Sequence, residues 1–336
     1  MSHEIDDTTG RNAIAFKGEV PWHGLGVNKT PGASIESWIT DAGLGYTVEK
    51  AELFASIPHG QDDATLAAVH NRCGLYRTDT GAVLGIASKT HHKIVQPREV
   101  VEFFRDLIEE AGFELEVAGA IRGGARVWAL ARAGKEFTVG GTDIVRPYLL
   151  LSTVFDNLRS TLAQYTSVRV VCNNTLTMAY AEQDGDAEKK VKTYVSIPHS
   201  RHFNANAVKA ELQLVTKAAE QFKEQAKALA SRKVTHEEAV AYVQTLFMKK
   251  GKDGSPTTKS LEVMAGVIEA IEKGPGSTLK TAKDTAWGLL NGVTHFLDFK
   301  ANSRTGNEGR LNNAWFGDAA RLKAKAKANA MALVTV

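Results

Sequence analysis

"DIVRPYLLLSTVFDNLRSTLAQYTSVRVV", residues 143–171, decides the fold. The stretch is rich in β-branched and aromatic residues and is broken once, at Asp156-Asn157. Such residues fit a pleated surface, and Asp-Asn suits a reversal, so the stretch predicts paired antiparallel strands. Upstream, "FELEVAGAIRGGARVWALARA" (113–133) sets a Gly-Gly turn between two strand runs. "AAVHNRCGLYRTD" (67–79) and "VLGIASKT" (83–90) flank a Thr-Gly turn. Both read as hairpins. Between them, the one-sided spacing of Val100, Phe104, Leu107, Ile108 and Ala111 predicts a helix over 97–111, opened by Pro97 and ended by Gly112. A short helix is expected over 34–42, with Ser34 as its N-cap.

After Pro198 the chain turns helical. Val208, Leu212, Val215, Ala219, Phe222, Ala226 and Leu229 recur at alternating spacings of four and three, a heptad stripe along 204–231. Thr235 and Glu238 form a capping-box pattern for the next helix. Further helices are expected over 260–272, through "DTAWGLLNGVTHFLDF" and at the Ala/Lys-rich end. The expected class is α+β: an antiparallel sheet with a packed helix, followed by a helical C-terminal region. It divides into an extended arm (1–45), a sheet core with one helix (46–198) and a helical, basic region (199–336).

The chain has 336 residues, 43% hydrophobic and 24% charged, as in folded soluble proteins. No apolar run is long enough for a membrane span, and the polar, acidic start MSHEIDDTTG is not a signal peptide. Two distant cysteines, Cys73 and Cys172, fit a reducing cytoplasm. The net charge of +3 is unevenly spread: residues 1–60 carry eight acidic and four basic side chains, residues 187–233 four and ten. That asymmetry suits a polyanionic partner, or equally a set of solvated lysine-rich helix faces.

Enzyme signatures are missing. Gly24-Leu25-Gly26 lacks the strand and third glycine of a nucleotide fingerprint, and neither a Walker sequence nor a G-x-S-x-G elbow occurs. No cofactor is implied. Of ten histidines, His91-His92 is the most suggestive pair, but neighbours on a strand point to opposite faces and chelate one metal poorly. His199 and His202 are too weakly placed to define a site, and Cys172 has no base set beside it by sequence. Candidate phosphate contacts are Lys89, Lys93, Arg98, Arg122, Arg126, Arg159 and Arg169, joined by Lys189, Lys190, Lys192 and Arg201. Among Trp128, Tyr148, Tyr165, Tyr194 and Phe203, at most two are expected to be open for stacking on bases, because strand aromatics usually serve a core.

"PWHGLG" (21–26), "HKIVQPREVVEFF" (92–104), "RVVCNNTL" (169–176) and "TAWGLLNGVTHFLD" (285–298), in that order, resemble the phage- and plasmid-borne family built on domain of unknown function 932. Where that family carries His-Asp-Gly in a strand turn, this chain reads Phe155-Asp156-Asn157 and keeps only the aspartate. The resemblance implies a mobile-element context, in which proteins of this size without a catalytic signature often serve replication and recombination. The element order is also similar to that of single-strand annealing proteins, by analogy of fold. The expectation is therefore a cytoplasmic, homo-oligomeric protein that binds and anneals single-stranded DNA. Trp22 and His23 would act as an interface clasp, and Leu212, Val215 and Phe222 would help subunits pack. The rivals are a metal-dependent nuclease using His23, His91 or His92, and a host- or virion-interaction module.

Overall fold

The computed structural model describes residues 5–18, 24–59, 64–156, 159–169, 174–177, 194–301, 313–314 and 317–335; the side chains of 168–169, 174–177 and 211–219 lie outside that description. Its centre is a sheet built on the strands expected from the opening stretch. These are β9 (Asp143–Val154) and β10 (Thr161–Arg169), antiparallel from Leu162 opposite Ser152 to Arg169 opposite Val145. The Gly-Gly hairpin supplies β6 (Glu114–Ile121) and β7 (Arg126–Arg132), with Arg122, Gly123 and Gly124 all in the left-handed region at the turn. β7 lies against β9.

The N-terminal segment does not stay apart as an arm. β1 (Ile14–Phe16) is buried and pairs antiparallel with β6, and β2 (Val27–Asn28) runs parallel beside β1. At the other edge, β11 (Asn174–Thr177) and β12 (Tyr194–Ile197) both pair with β10, while β8 (Phe137–Val139) pairs with the start of β9. A second sheet of three antiparallel strands follows the order β3 (Val48–Pro58), β4 (Ala64–Arg77), β5 (Val83–Ser88). The Thr-Gly hairpin is β4–β5, as its sequence predicts.

Alternation along β7 and β9 splits the main sheet into two buried faces. Val127, Ala129, Leu149 and Leu151 belong to the large core, and Trp128, Leu130, Tyr148 and Leu150 to a smaller cluster behind it with Ile14. The helices cover the large core. They are α1 (Ile35–Asp41), α2 (Pro97–Glu102), α3 (Arg105–Ala111), α4 (Ala205–Ser231), α5 (His236–Phe247), α6 (Thr258–Lys273), α7 (Ala286–His295) and α8 (Asp318–Val334). One contiguous core runs from Ala13 to Ala330, so all three sequence segments share it.

Local signals hold. Ser34 caps α1, Thr235 and Glu238 form the capping box of α5, and Gly112, in the left-handed conformation, ends α3. The helix expected over 97–111 is interrupted: Phe103 and Phe104 are both buried, edge to face at 5.2 Å, and a turn there replaces the continuous helix. α7 is buried on every side from Ala286 to Thr294 and forms the middle of the helical layer. Its Trp287 Nε1 donates to buried Asp143 Oδ2 at 2.8 Å, which fastens the helix to the start of β9.

Two expectations are corrected by burial. Phe222 is 1% exposed and packs 6.2 Å from both Phe137 and Trp287, so its place on the heptad stripe serves this chain's own core. Arg126 is 5% exposed at the hairpin end of β7, between Ile121 and Val154, and offers no surface to a phosphate.

Candidate functional site

Register builds one cleft where the two sheets meet. Thr161 pairs with Ile197, so Arg159 and Ser160, just before β10, meet Pro198, His199 and Ser200, just after β12. From the second sheet, β5 brings Ser88, and the turn after it brings His91 and His92. Gly85 permits the approach: a Cβ there would lie 2.4 Å from the Phe155 carbonyl oxygen and 2.6 Å from Asp156 Cα. The cleft encloses about 300 Å³.

The turn is braced. Lys50 Nζ donates to the carbonyls of Lys89 at 2.9 Å and His92 at 2.8 Å, and Lys93 N donates to the His199 carbonyl at 2.6 Å. These bonds hold His92 against His199, with the rings stacked at 4.6 Å and 28°. Both are buried, at 4% and 8% exposure. Neither ring nitrogen of His199 has a hydrogen-bond partner among the described residues. Burial pushes this imidazole below the ordinary histidine range, outweighing the upward pull of the nearby Lys93 and Arg159 backbone and the Asp156 charge. His91 is exposed, with Nδ1 2.9 Å from Thr90 Oγ1. The adjacent histidines differ in burial, and both line the cleft from the turn that follows β5 and not from a strand.

The surrounding charge is cationic. Arg159 lines the cleft, Lys89 and Lys93 bracket its turn, and Arg201 follows Ser200. Arg159 and Arg201 are exposed and Lys93 is half-buried, and among the described residues their side chains have neither hydrogen-bond nor carboxylate partners. Lys89 reaches Glu52 at 3.1 Å. The cleft itself thus brings together one cation without a side-chain partner among the described residues, Arg159, buried imidazole nitrogens and the hydroxyl-bearing Ser88, Ser160 and Ser200. A larger cleft of about 900 Å³ lies beside Trp38, but there Lys17 and Arg132 are committed to Glu114. Among the described residues no three His, Cys, Asp or Glu side chains gather to hold a metal ion.

The remaining candidates are scattered. Arg98 is exposed on α2, 4.0 Å from Glu102, and Arg122 sits at the β6–β7 turn; neither lines the cleft. Arg169 is placed in β10 by its backbone alone, and Leu212 and Val215 likewise in α4. Trp22, His23, Cys172, Lys189, Lys190 and Lys192 lie outside the described residues. Of "PWHGLG", the glycines are described: Gly24 and Gly26 have φ of 68° and 106°, and a Cβ on Gly26 would lie 2.6 Å from the Ile14 carbonyl oxygen. This part of the motif docks on the chain's own sheet. Of the five aromatics, Trp128, Tyr148 and Tyr165 are buried; Tyr194 and Phe203 are partly exposed. Sequence reading missed the His92–His199 stack and the serines around it.

Fold and site together define an α+β protein with a histidine- and serine-lined cleft at the junction of two sheets. Residues 83–315 match the model of the family described as a domain of unknown function (DUF932), and the chain belongs to that family. Every lining residue of the cleft falls within the match, whereas β3 and β4 precede it. No characterised protein and no solved structure matches the chain. No helix among the described residues is long and apolar enough to cross a membrane.

Proposed function

We propose that this protein binds single-stranded DNA at the His92–His199 cleft and, as a homo-oligomer without a cofactor, anneals strands in the recombination of a phage or other mobile element. The observation that carries the reading is Arg159 in the cleft lining, with Lys93 and Arg201 next in sequence to the lining residues His92 and Ser200, all three side chains left unpaired among the described residues. Unpaired cations around an open, concave surface favour a polyanion such as the phosphate backbone of a nucleic acid. Tyr194, partly exposed at the start of β12, suits a strand whose bases are unpaired, whereas Phe203 packs on the core beside Phe103.

The test is fluorescence anisotropy with a labelled oligothymidine and its duplex counterpart at low salt. Arg159→Glu is expected to weaken single-strand binding by roughly tenfold or more, with Lys93→Glu acting alike, since each reverses a charge at the phosphate path. Equal affinity of wild type and both variants, or a preference for duplex, would overturn the reading.

A further inference from the structure

The outer part of the β3–β4 hairpin stands away from the body. β5 pairs with β4 only from Arg72 to Tyr76, whereas residues 54–58 and 64–68 pair only with each other. Residues 64–72 are all exposed. Opposed residues share a face, so Phe54, Ala68, Ser56 and Leu66 lie on one side and Ala55, Ala67, Ile57 and Thr65 on the other. Phe54, Ile57 and Leu66 are 54%, 43% and 68% exposed, so both sides present apolar groups to water. A two-stranded ribbon is marginal in water by itself, and this one rests neither face on the core.

The two edges of the ribbon differ. The β3 edge of the ribbon ends at Pro58, which blocks further pairing there, and the charged Glu52 stands just before it. The β4 edge over 64–69, "ATLAAV", carries neither. With no cation in 64–69, it offers nothing to a nucleic acid. It does suit itself. Two copies laid antiparallel about Ala67 set Leu66 opposite the partner's Ala68 and Thr65 opposite the partner's Val69. Large side chains then meet small ones, and no like charges meet. Phe54 and Leu66 on one face and Ile57 on the other, with Val69, Val83 and Ile86 also exposed, leave apolar groups beside this edge on both faces for a second copy to cover.

We infer that two copies of this chain pair along this edge, β4 against β4 across a two-fold axis, joining two hairpins into a four-stranded ribbon. Such a contact is closed and uses the same patch on both copies. It stands apart from the DNA reading and concerns only how copies meet.

The experiment is sedimentation equilibrium of the full chain at tens of micromolar. Wild type is expected to be dimeric. Ala67→Lys and Ala67→Glu each set two like charges directly opposite at the axis and are expected to be monomeric, with unchanged far-UV circular dichroism because Ala67 touches no core. An equimolar mixture of the two is expected to recover the dimer. A monomeric wild type, dimeric single variants, or a mixture that stays monomeric would overturn the inference. Oligothymidine anisotropy on the same samples separates the outcomes, since a monomer that still binds DNA leaves the cleft reading intact.

Discussion

Neutralising Arg159 should change how binding depends on salt as well as how tight it is. Each phosphate engaged on a single strand contributes about −0.7 to the slope of log affinity against log salt. The side chains of Lys93, Arg159 and Arg201 have no partner among the described residues, and three phosphates engaged by them give a slope of about −2. Lys89 brings it toward −3 if it exchanges Glu52, 3.1 Å away, for a phosphate. Between 50 and 200 mM salt the affinity for a short oligothymidine should therefore fall by roughly 20- to 50-fold. In Arg159→Gln the slope should become shallower by about 0.7, and the fall should shrink to roughly 7- to 20-fold. Anisotropy titrations at four salt concentrations measure both slopes. A wild-type slope shallower than about −1, or a slope that Arg159→Gln leaves unchanged, would refute the assignment of these cations to phosphates.

Three further outcomes follow from buried charge. Arg77, 1% exposed, donates to Asp6 at 2.5 Å and to both carboxylate oxygens of Asp79, and lies 4.1 Å from the Tyr46 ring; Arg77→Ala strands Asp6 and should cost about 3–5 kcal/mol in urea unfolding. His199 is pushed below 6.5 by burial, so the unfolded chain takes up its proton first, and stability should fall as pH drops below about 6.5; in His199→Leu the fall should be smaller, the remainder including His295, also lowered by burial. Burial pushes Lys327, 5.2 Å from the Phe222 ring, down to about 8, so stability should rise from about pH 8 toward 10, a rise that Lys327→Met should abolish in thermal melts.

The strands and their turns were legible because their signals are local: β-branched runs, the glycines at 123–124 and an Asp-Asn break. Caps were legible for the same reason, as Ser34 and Thr235 illustrate. What the sequence hid depends on partners distant in the chain. The heptad stripe through Phe222 requires an apolar partner but does not say which chain supplies it; Phe137 and Trp287 of the same chain do. Arg126 looked available because nothing local shows that the end of β7 is enclosed. The short apolar run Ile14–Phe16 became an inner strand because β6 offered it an edge. At the cleft, the cations were legible as residue types. The meeting of their segments was not, because it follows from Thr161 pairing with Ile197 and from Lys93 N reaching the His199 carbonyl.

Cleft and hairpin are joined by one ladder, since Arg72 of β4 pairs with Ser88, which lines the cleft. Arg72 lies five positions along β4 from Ala67. At about 3.3 Å per residue, less what the irregularity near Asn71 takes up, each cleft rim lies on the order of 15 Å from the proposed axis. A dimer therefore holds two clefts roughly 30 Å apart on a continuous ribbon. One strand spanning both engages the second cleft at an effective concentration of about millimolar, for a gain of 100-fold or more over a strand that reaches only one. The prediction is a step in affinity with oligothymidine length for wild type. Ala67→Glu alone should show no step, and its equimolar mixture with Ala67→Lys should regain it. A smooth rise with length in all three samples would mean that the hairpin pairs copies without aligning their clefts; a step in Ala67→Glu alone would place both contacts within a single chain.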